Sequence, residues 1–251
     1  MTLEEAIELA GNGDYEAIMA LGKYYFEGDE QNGRDFHESL KWYTLGAEFG
    51  YSNCMCLAAN LGIILGHTNR KIMPDSTESQ FEYYDNALKW ATKAAELGEE
   101  NASNLILTIK GEMGISYHYA AINSSNSELY RKAIDIFQEI VPVTNNSEFV
   151  LFYGLSLYSY LKSIDSNDYN SYSIARNMLE TSVTNNYKEL ESKLVGIACS
   201  LIGNMLTGGW GCAVDYDKAV YYYTLAGEFG FDCSDMLKLF RKKLFGGYTL
   251  A

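Results

Sequence analysis

Three histidines, five cysteines and several clusters of acidic side chains are the residues of this chain whose types could carry chemistry. A metal site or a proton-transfer pair needs two or more such groups at a spacing that lets them converge. His37, His67 and His118 lie far apart, and none has a partner at a metal-ligand spacing. His37 falls in the polar start of a helix and reads as a solvated side chain; His67 falls in a loop and His118 beside another. Cys54-x-Cys56 lacks the second pair of a zinc site, and on a helix two residues so spaced point about 200° apart. Both read as small buried hydrophobes. Five unpatterned cysteines predict reduced thiols rather than a disulfide framework.

Gly208-Gly209-Trp210-Gly211 has the glycines of a phosphate cradle but not the Lys-Ser/Thr that follows them in a P-loop, so it reads as a turn. The acidic groups Glu4, Glu5 and Glu8, and Glu96, Glu99 and Glu100, could supply carboxylates for acid–base work. Without a cleft or a perturbing neighbour they read as solvated faces. The scattered serines have no elbow motif and no positioned base. The chain is therefore read as non-catalytic, with no catalytic, cofactor-binding or metal-binding residue.

The elements that would position any site are helical. An apolar fraction of 47% supplies a core, and only two prolines, Pro74 and Pro142, interrupt 251 residues. An interior proline costs a helix about 3 kcal/mol, so long proline-free stretches suit helices. Both prolines fall in expected loops. Leu3, Ala6, Ile7 and Ala10 recur at helical spacing, and Gly11-Asn12-Gly13-Asp14 breaks that segment. Asp14 is a candidate N-cap for a helix that reaches Glu27, and Asp35 for one that reaches Gly50. Further helices are expected over 52–65, 80–97, 101–112, 127–140, 147–161, 170–184, 188–207, 215–229 and 232–244. The longer connections, 66–79, 113–126 and 162–169, are read as repeat drift. Arg241, Lys242 and Lys243 would sit at the negative end of the last helix.

Blocks of this chain recur. Trp42-Tyr43-Thr44-Leu45-Gly46-Ala47-Glu48-Phe49-Gly50-Tyr51 returns as Tyr222 to Phe231, with a third version from Lys89 to Gly98. The outer copies lie about 180 residues apart, or five steps of about 36, a spacing that marks stacked units, each leaning on its neighbours.

The segments Leu21-Gly22-Lys23-Tyr24-Tyr25-Phe26-Glu27-Gly28 and Asp215-Tyr216-Asp217-Lys218-Ala219-Val220-Tyr221-Tyr222-Tyr223, the latter ending at Gly230, carry a family pattern. The chain resembles Sel1-like repeats, a subclass of the tetratricopeptide-type helical repeat. The match is strong over 15–98 and 187–230. It is weak over 99–186, where Gly111 and Gly154 keep the phase; divergent repeats are favoured there over a different helical pairing. The resemblance implies an all-α, right-handed α–α superhelix, a solenoid of A/B helix pairs forming one repeat domain over 1–251. Its parts would be a cap at 1–13, pairs at 14–50, 51–98, 99–146, 147–186 and 187–230, and a capping helix at 231–251. The pattern's glycines would serve either close helix approach or a left-handed helix end, and its aromatic pair would fill the wedge between units.

Such stacks bind peptides or protein segments on a concave surface lined by A helices. Spacing from the Leu-Gly pair carries that surface to Glu16, Met19, Lys23, Phe26 and Glu27. By the phase of Gly154 it falls on Glu148, Leu151, Leu155 and Tyr158, and by that of Gly203 on Ser200, Asn204 and Thr207. Trp210, in its turn, is a further candidate. Phe26 and Tyr158 are the informative members, because exposed aromatics anchor interfaces at little entropic cost.

A net charge of −14 and a pI near 4.6 argue against nucleic acid and anionic membranes and favour a basic partner. No apolar run approaches the ~20 residues of a membrane span, and the start lacks the features of a signal peptide. A cytoplasmic protein is expected, or a periplasmic one if a leader has been removed. The function expected is a protein-binding scaffold or adaptor. Two narrower alternatives stay open, both from family resemblance: a bacterial immunity-type inhibitor of a basic toxin, and a regulator of envelope or signalling machinery.

Overall fold

The structure, a computed structural model, describes residues 2–29, 33–72, 77–185, 187–243 and 246–251, leaving the side chains of 77–79, 185 and 187 aside. Pro74 lies outside the described residues; Pro142 sits in a short 3-10 turn over Val141–Val143. Among the described residues the chain is all-α apart from one small C-terminal hairpin. It divides into two compact units, Met1–Asn123 and Ser124–Ala251.

The first unit runs α1 (Leu3–Gly11), α2 (Tyr15–Glu27), α3 (Phe36–Glu48), α4 (Ser52–Ile72), α5 (Thr77–Glu96) and nearly all of α6 (Ala102–Ser124). Helices α1 to α5 pack in chain order, each of α2 to α5 against the one before it. Asp14 caps α2 by accepting the Ala17 N–H at 2.8 Å, and Asp35 caps α3 through the N–H groups of His37 and Glu38. The Ser39 hydroxyl, buried, donates to the Gly22 carbonyl at 2.7 Å, and Gly46 abuts Ile18 and Cys54. These contacts run α3 antiparallel to α2.

The second unit holds α7 (Ser127–Ile140), α8 (Ser147–Ser163), α9 (Tyr169–Asn185), α10 (Ser192–Gly208), α11 (Tyr216–Glu228) and a single turn, α12 (Ser234–Leu237). Strands β1 (Phe240–Lys242) and β2 (Tyr248–Leu250) follow, antiparallel, with Arg241 opposite Thr249. Helices α7 to α11 again pack in chain order.

Two glycine roles recur. At one A-helix position the backbone lies against a tyrosine ring: Gly22 on Tyr43, Gly66 on Tyr84 and Gly203 on Tyr223. A Cβ on Gly66 or Gly203 would stand 2.6 or 2.7 Å from that ring, so the buried rings are seated only because the side chain is absent. At the B-helix ends, Gly50, Gly98 and Gly230 adopt φ of +93°, +85° and +80°, and the N–H of the next residue reaches back five residues to close the helix.

Three expectations fail. Residues 66–72 are helix rather than loop, because Arg70 drops its guanidinium onto Glu112 (2.8 Å) and Ser116 (3.2 Å) of α6 and holds the polar end of α4 down. His67 is thus helical and meets the same carboxylate at 3.4 Å. The expected loop 113–126 is mostly the second half of α6, where Gly114, Ile115, Ser116, His118, Ala120 and Ala121 are buried. The C-terminal capping helix reduces to one turn. Gly246-Gly247 turns the chain back, Phe240 packs on Tyr216 and Tyr223, and the Tyr248 N–H donates to Asp217 at 2.6 Å. Arg241 and Lys242 therefore lie on a strand, not at a helix end.

Candidate interaction surface

The residues chosen on α2 stand at a surface. Ala17, Ile18, Leu21 and Gly22 face inward, which leaves Glu16, Lys23, Phe26 and Glu27 exposed and Met19 half-buried. Phe26 is 38% exposed, its ring tilted against Phe36 at 5.4 Å. Lys23 and Glu27 face each other at 3.8 Å across a turn, an exposed pair that contributes little to stability.

The residues chosen on α8 and α10 are placed differently. Leu151, Leu155 and Tyr158 are core residues, 0%, 4% and 8% exposed, and Ser200 is buried too. They are corrected from recognition surface to packing. Glu148 is half-buried in the first turn of α8, its N–H held by the cap Asn146. Tyr158 sits edge-on to Tyr172 and tilted to Trp210, whose ring stacks on Tyr172 at 6.0 Å. The Lys162 ammonium lies 4.1 Å from the centre of the Trp210 ring, a cation–π contact. Trp210 is half-buried because Gly211 presses directly on the backbone of Tyr172 and Ser173. Asn204 accepts the Tyr223 hydroxyl at 2.9 Å, and Thr207 meets the same hydroxyl at 3.3 Å. Burial pushes the Tyr158 hydroxyl up to about 12, with Tyr172 and Tyr223 adding to the shift and an Asn204 hydrogen bond opposing it. The structure thus brings Tyr158, Asn204, Thr207 and Trp210 together, but around one another.

Cys54 and Cys199 are fully buried, and burial raises their thiols to about 11 and about 12, so neither is a thiolate at neutral pH. His118 is buried, and burial lowers its imidazole to about 4. Among the described residues no helix is long and apolar enough to cross a membrane.

Sequence reasoning missed a surface cleft in the first unit. A cavity of about 350 Å³ opens between α3 and α5, floored by Ala58 and Gly62 of α4. Leu40, Thr44 and Glu48 recur every four residues on α3 and form one wall; Tyr83, Ala87 and Trp90 of α5 form the other. Gly62 lets the helices close, since a Cβ there would stand 2.8 Å from that of Ala87. A second hollow of about 680 Å³ shares Leu40, Thr44, Glu48 and Tyr83 and extends past His37 to Ile7 on α1. The two make one groove across α1, α3 and α5, the B-type helices. The four-residue spacing of Leu40, Thr44 and Glu48 was the available signal, but spacing alone does not separate a groove wall from a packed face.

The sequence model of the Sel1 repeat matches residues 16–51, 84–99 and 196–228, which span α2–α3, the end of α5, and α10–α11. The chain carries Sel1 repeats over those residues. Sel1 repeats are helix pairs that generally serve as protein–protein interaction modules. Among solved structures, the chain is similar to c5321, a protective antigen present in uropathogenic Escherichia coli strains displaying an SLR fold. The two are 18% identical over 95% of this chain and 50% of the antigen, with a TM-score of 0.37. The chain thus spans about half the length of that antigen. It is also similar to a Sel1 repeat protein from Oxalobacter formigenes, 20% identical over 91% of this chain and 85% of that one, with a TM-score of 0.42. No curated protein matches the sequence.

Proposed function

We propose that this chain is a non-catalytic scaffold that binds a basic protein partner through its first unit. The observation that carries the reading is the distribution of charge within a Sel1-repeat chain. Residues 1–123 hold 19 acidic and 8 basic side chains, against 14 and 11 in residues 124–251. The acidic excess is therefore concentrated in one unit rather than spread for solubility. A one-signed surface steers an oppositely charged partner and raises its association rate. The exposed α2 row, Glu16, Lys23, Phe26 and Glu27, belongs to the same unit and is a further contact surface.

Affinity capture from native lysate with mass spectrometry tests the reading. A basic protein should be recovered at low salt and released as ionic strength rises past about 0.3 M, where screening shortens to a few ångströms. Recovery of only acidic or salt-insensitive partners rejects it. The same charge concentration favours a narrower reading, an immunity-type inhibitor of a basic toxin. Co-expression with a toxin encoded beside the gene should then restore growth, and unrelieved toxicity discards that version.

A further inference from the structure

We propose that the groove across α1, α3 and α5 is a docking site for a short segment of a partner protein in which lysine or arginine flanks an apolar side chain. This rests on the scaffold reading above and places its contact on a different face from the A-helix surface. The groove offers an apolar lining, Leu40, Tyr83 and Trp90, with Ile7 41% exposed at one end. Two carboxylates stand in that lining: Glu48 borders both hollows and Glu82 the first. Neither takes part in an ion pair among the described residues. The cations of the same lining are engaged: Lys41 pairs with Glu38 at 3.3 Å, and the Lys89 ammonium lies 4.8 Å from the centre of the Trp90 ring. The groove thus presents unspent negative charge beside apolar surface, inside the unit that carries the acidic excess. An incoming cation gains two acceptors there, and an incoming anion meets them as repulsion.

The probe is a fluorescein-labelled peptide alternating lysine and leucine, with its glutamate–leucine counterpart as control, read by fluorescence anisotropy on the full chain. The lysine peptide should bind at low salt and the glutamate peptide should not. The double variant Glu48→Gln/Glu82→Gln should weaken binding roughly ten-fold, as expected for two part-exposed charge pairs. The matched double Glu16→Gln/Glu27→Gln, which removes the same charge from α2, should weaken it less than about two-fold, as screened charges outside the contact do. Thr44→Arg, filling the middle of the groove with a bulky cation, should abolish binding. Should that variant fail to melt cooperatively, the paired glutamine variants decide alone. Equal losses in the two doubles, a larger loss in the α2 double, or no binding by the unaltered chain overturns the proposal. So does self-association that Thr44→Arg abolishes, which assigns the groove to a second copy. A captured basic partner that binds the groove variants as tightly as the unaltered chain rejects the groove and leaves the scaffold reading standing.

Discussion

Phe26 in the first unit and Tyr158 in the second occupy the same place in the repeat, four residues after the A-helix glycine. Phe26 is 38% exposed with its ring tilted against Phe36, while Tyr158 is 8% exposed under Tyr172 and Trp210. Thr207, at the same place after Gly203, is half-buried against the Tyr223 hydroxyl. Three residues before the glycine the pattern repeats: Met19 is half-buried, Leu151 fully buried and Ser200 buried. A repeat position therefore specifies a direction from the helix axis, and what the neighbouring loop brings to it decides surface or core. In the second unit the turn at Gly208–Gly211 folds an indole over that direction, and the repeat face becomes interior.

The sharpest break of this comparison is Tyr158→Ala. It should lower unfolding free energy by about 4 kcal/mol, as truncating a buried aromatic does, measured by urea denaturation. A loss under about 1 kcal/mol would return Tyr158 to the surface set. Next in size are the glycines that seat tyrosine rings. Gly66→Ala and Gly203→Ala should each cost about 2–3 kcal/mol through overpacking, and so should Gly154→Ala, whose Cβ would stand 2.8 Å from the Leu179 side chain and 3.1 Å from the Ala175 carbonyl oxygen. A cost under about 1 kcal/mol at Gly154 alone would mean that the divergent repeat is more loosely interlocked than the others.

Acid should separate the units as well. All three histidines belong to the first, and burial holds His118 near 4 against an ordinary value of 6.5. Between those values the unfolded chain binds the proton more readily, so the stability present above 6.5 falls as pH drops and levels off below 4. At pH 5 the loss is about 2 kcal/mol, visible as faster hydrogen exchange in α6 than at pH 7 once intrinsic rates are corrected. His118→Gln should remove that slope, and an unchanged slope would assign it to other groups. The smallest effect is expected of Phe26→Ala, less than about 1 kcal/mol in melting, because its ring is already part solvated. A larger loss would erase the contrast with Tyr158.

Much of the fold was legible in the residues. Asp14 and Asp35 cap the helices that follow them, and Gly50, Gly98 and Gly230 end theirs in the left-handed conformation, because capping and helix termination are local chemistry. The failures were non-local. The polar run His67 to Lys71 reads as loop until Glu112, more than forty residues on, neutralises Arg70. The stretch 113–126 reads as loop, yet burial of Gly114, Ile115, Ser116, His118, Ala120 and Ala121 keeps most of it helical. The C-terminal residues were read as a helix although Gly246-Gly247 was a hairpin signal, and Phe240 found its partners on α11. Of the candidate surface, Glu16, Lys23, Phe26 and Glu27 of α2 stand at solvent and Leu151, Leu155 and Tyr158 of α8 lie in the core, and the groove wall was not singled out.

The sequence by itself determined the class of element, the repeat and the acidic balance, since each follows from residue type and spacing along the chain. Which repeat faces stay open was decided by tertiary structure. Exposure depends on what packs from elsewhere: an indole held over Tyr158 by a turn with no room for a Cβ, and a gap left between α3 and α5 over small residues of α4.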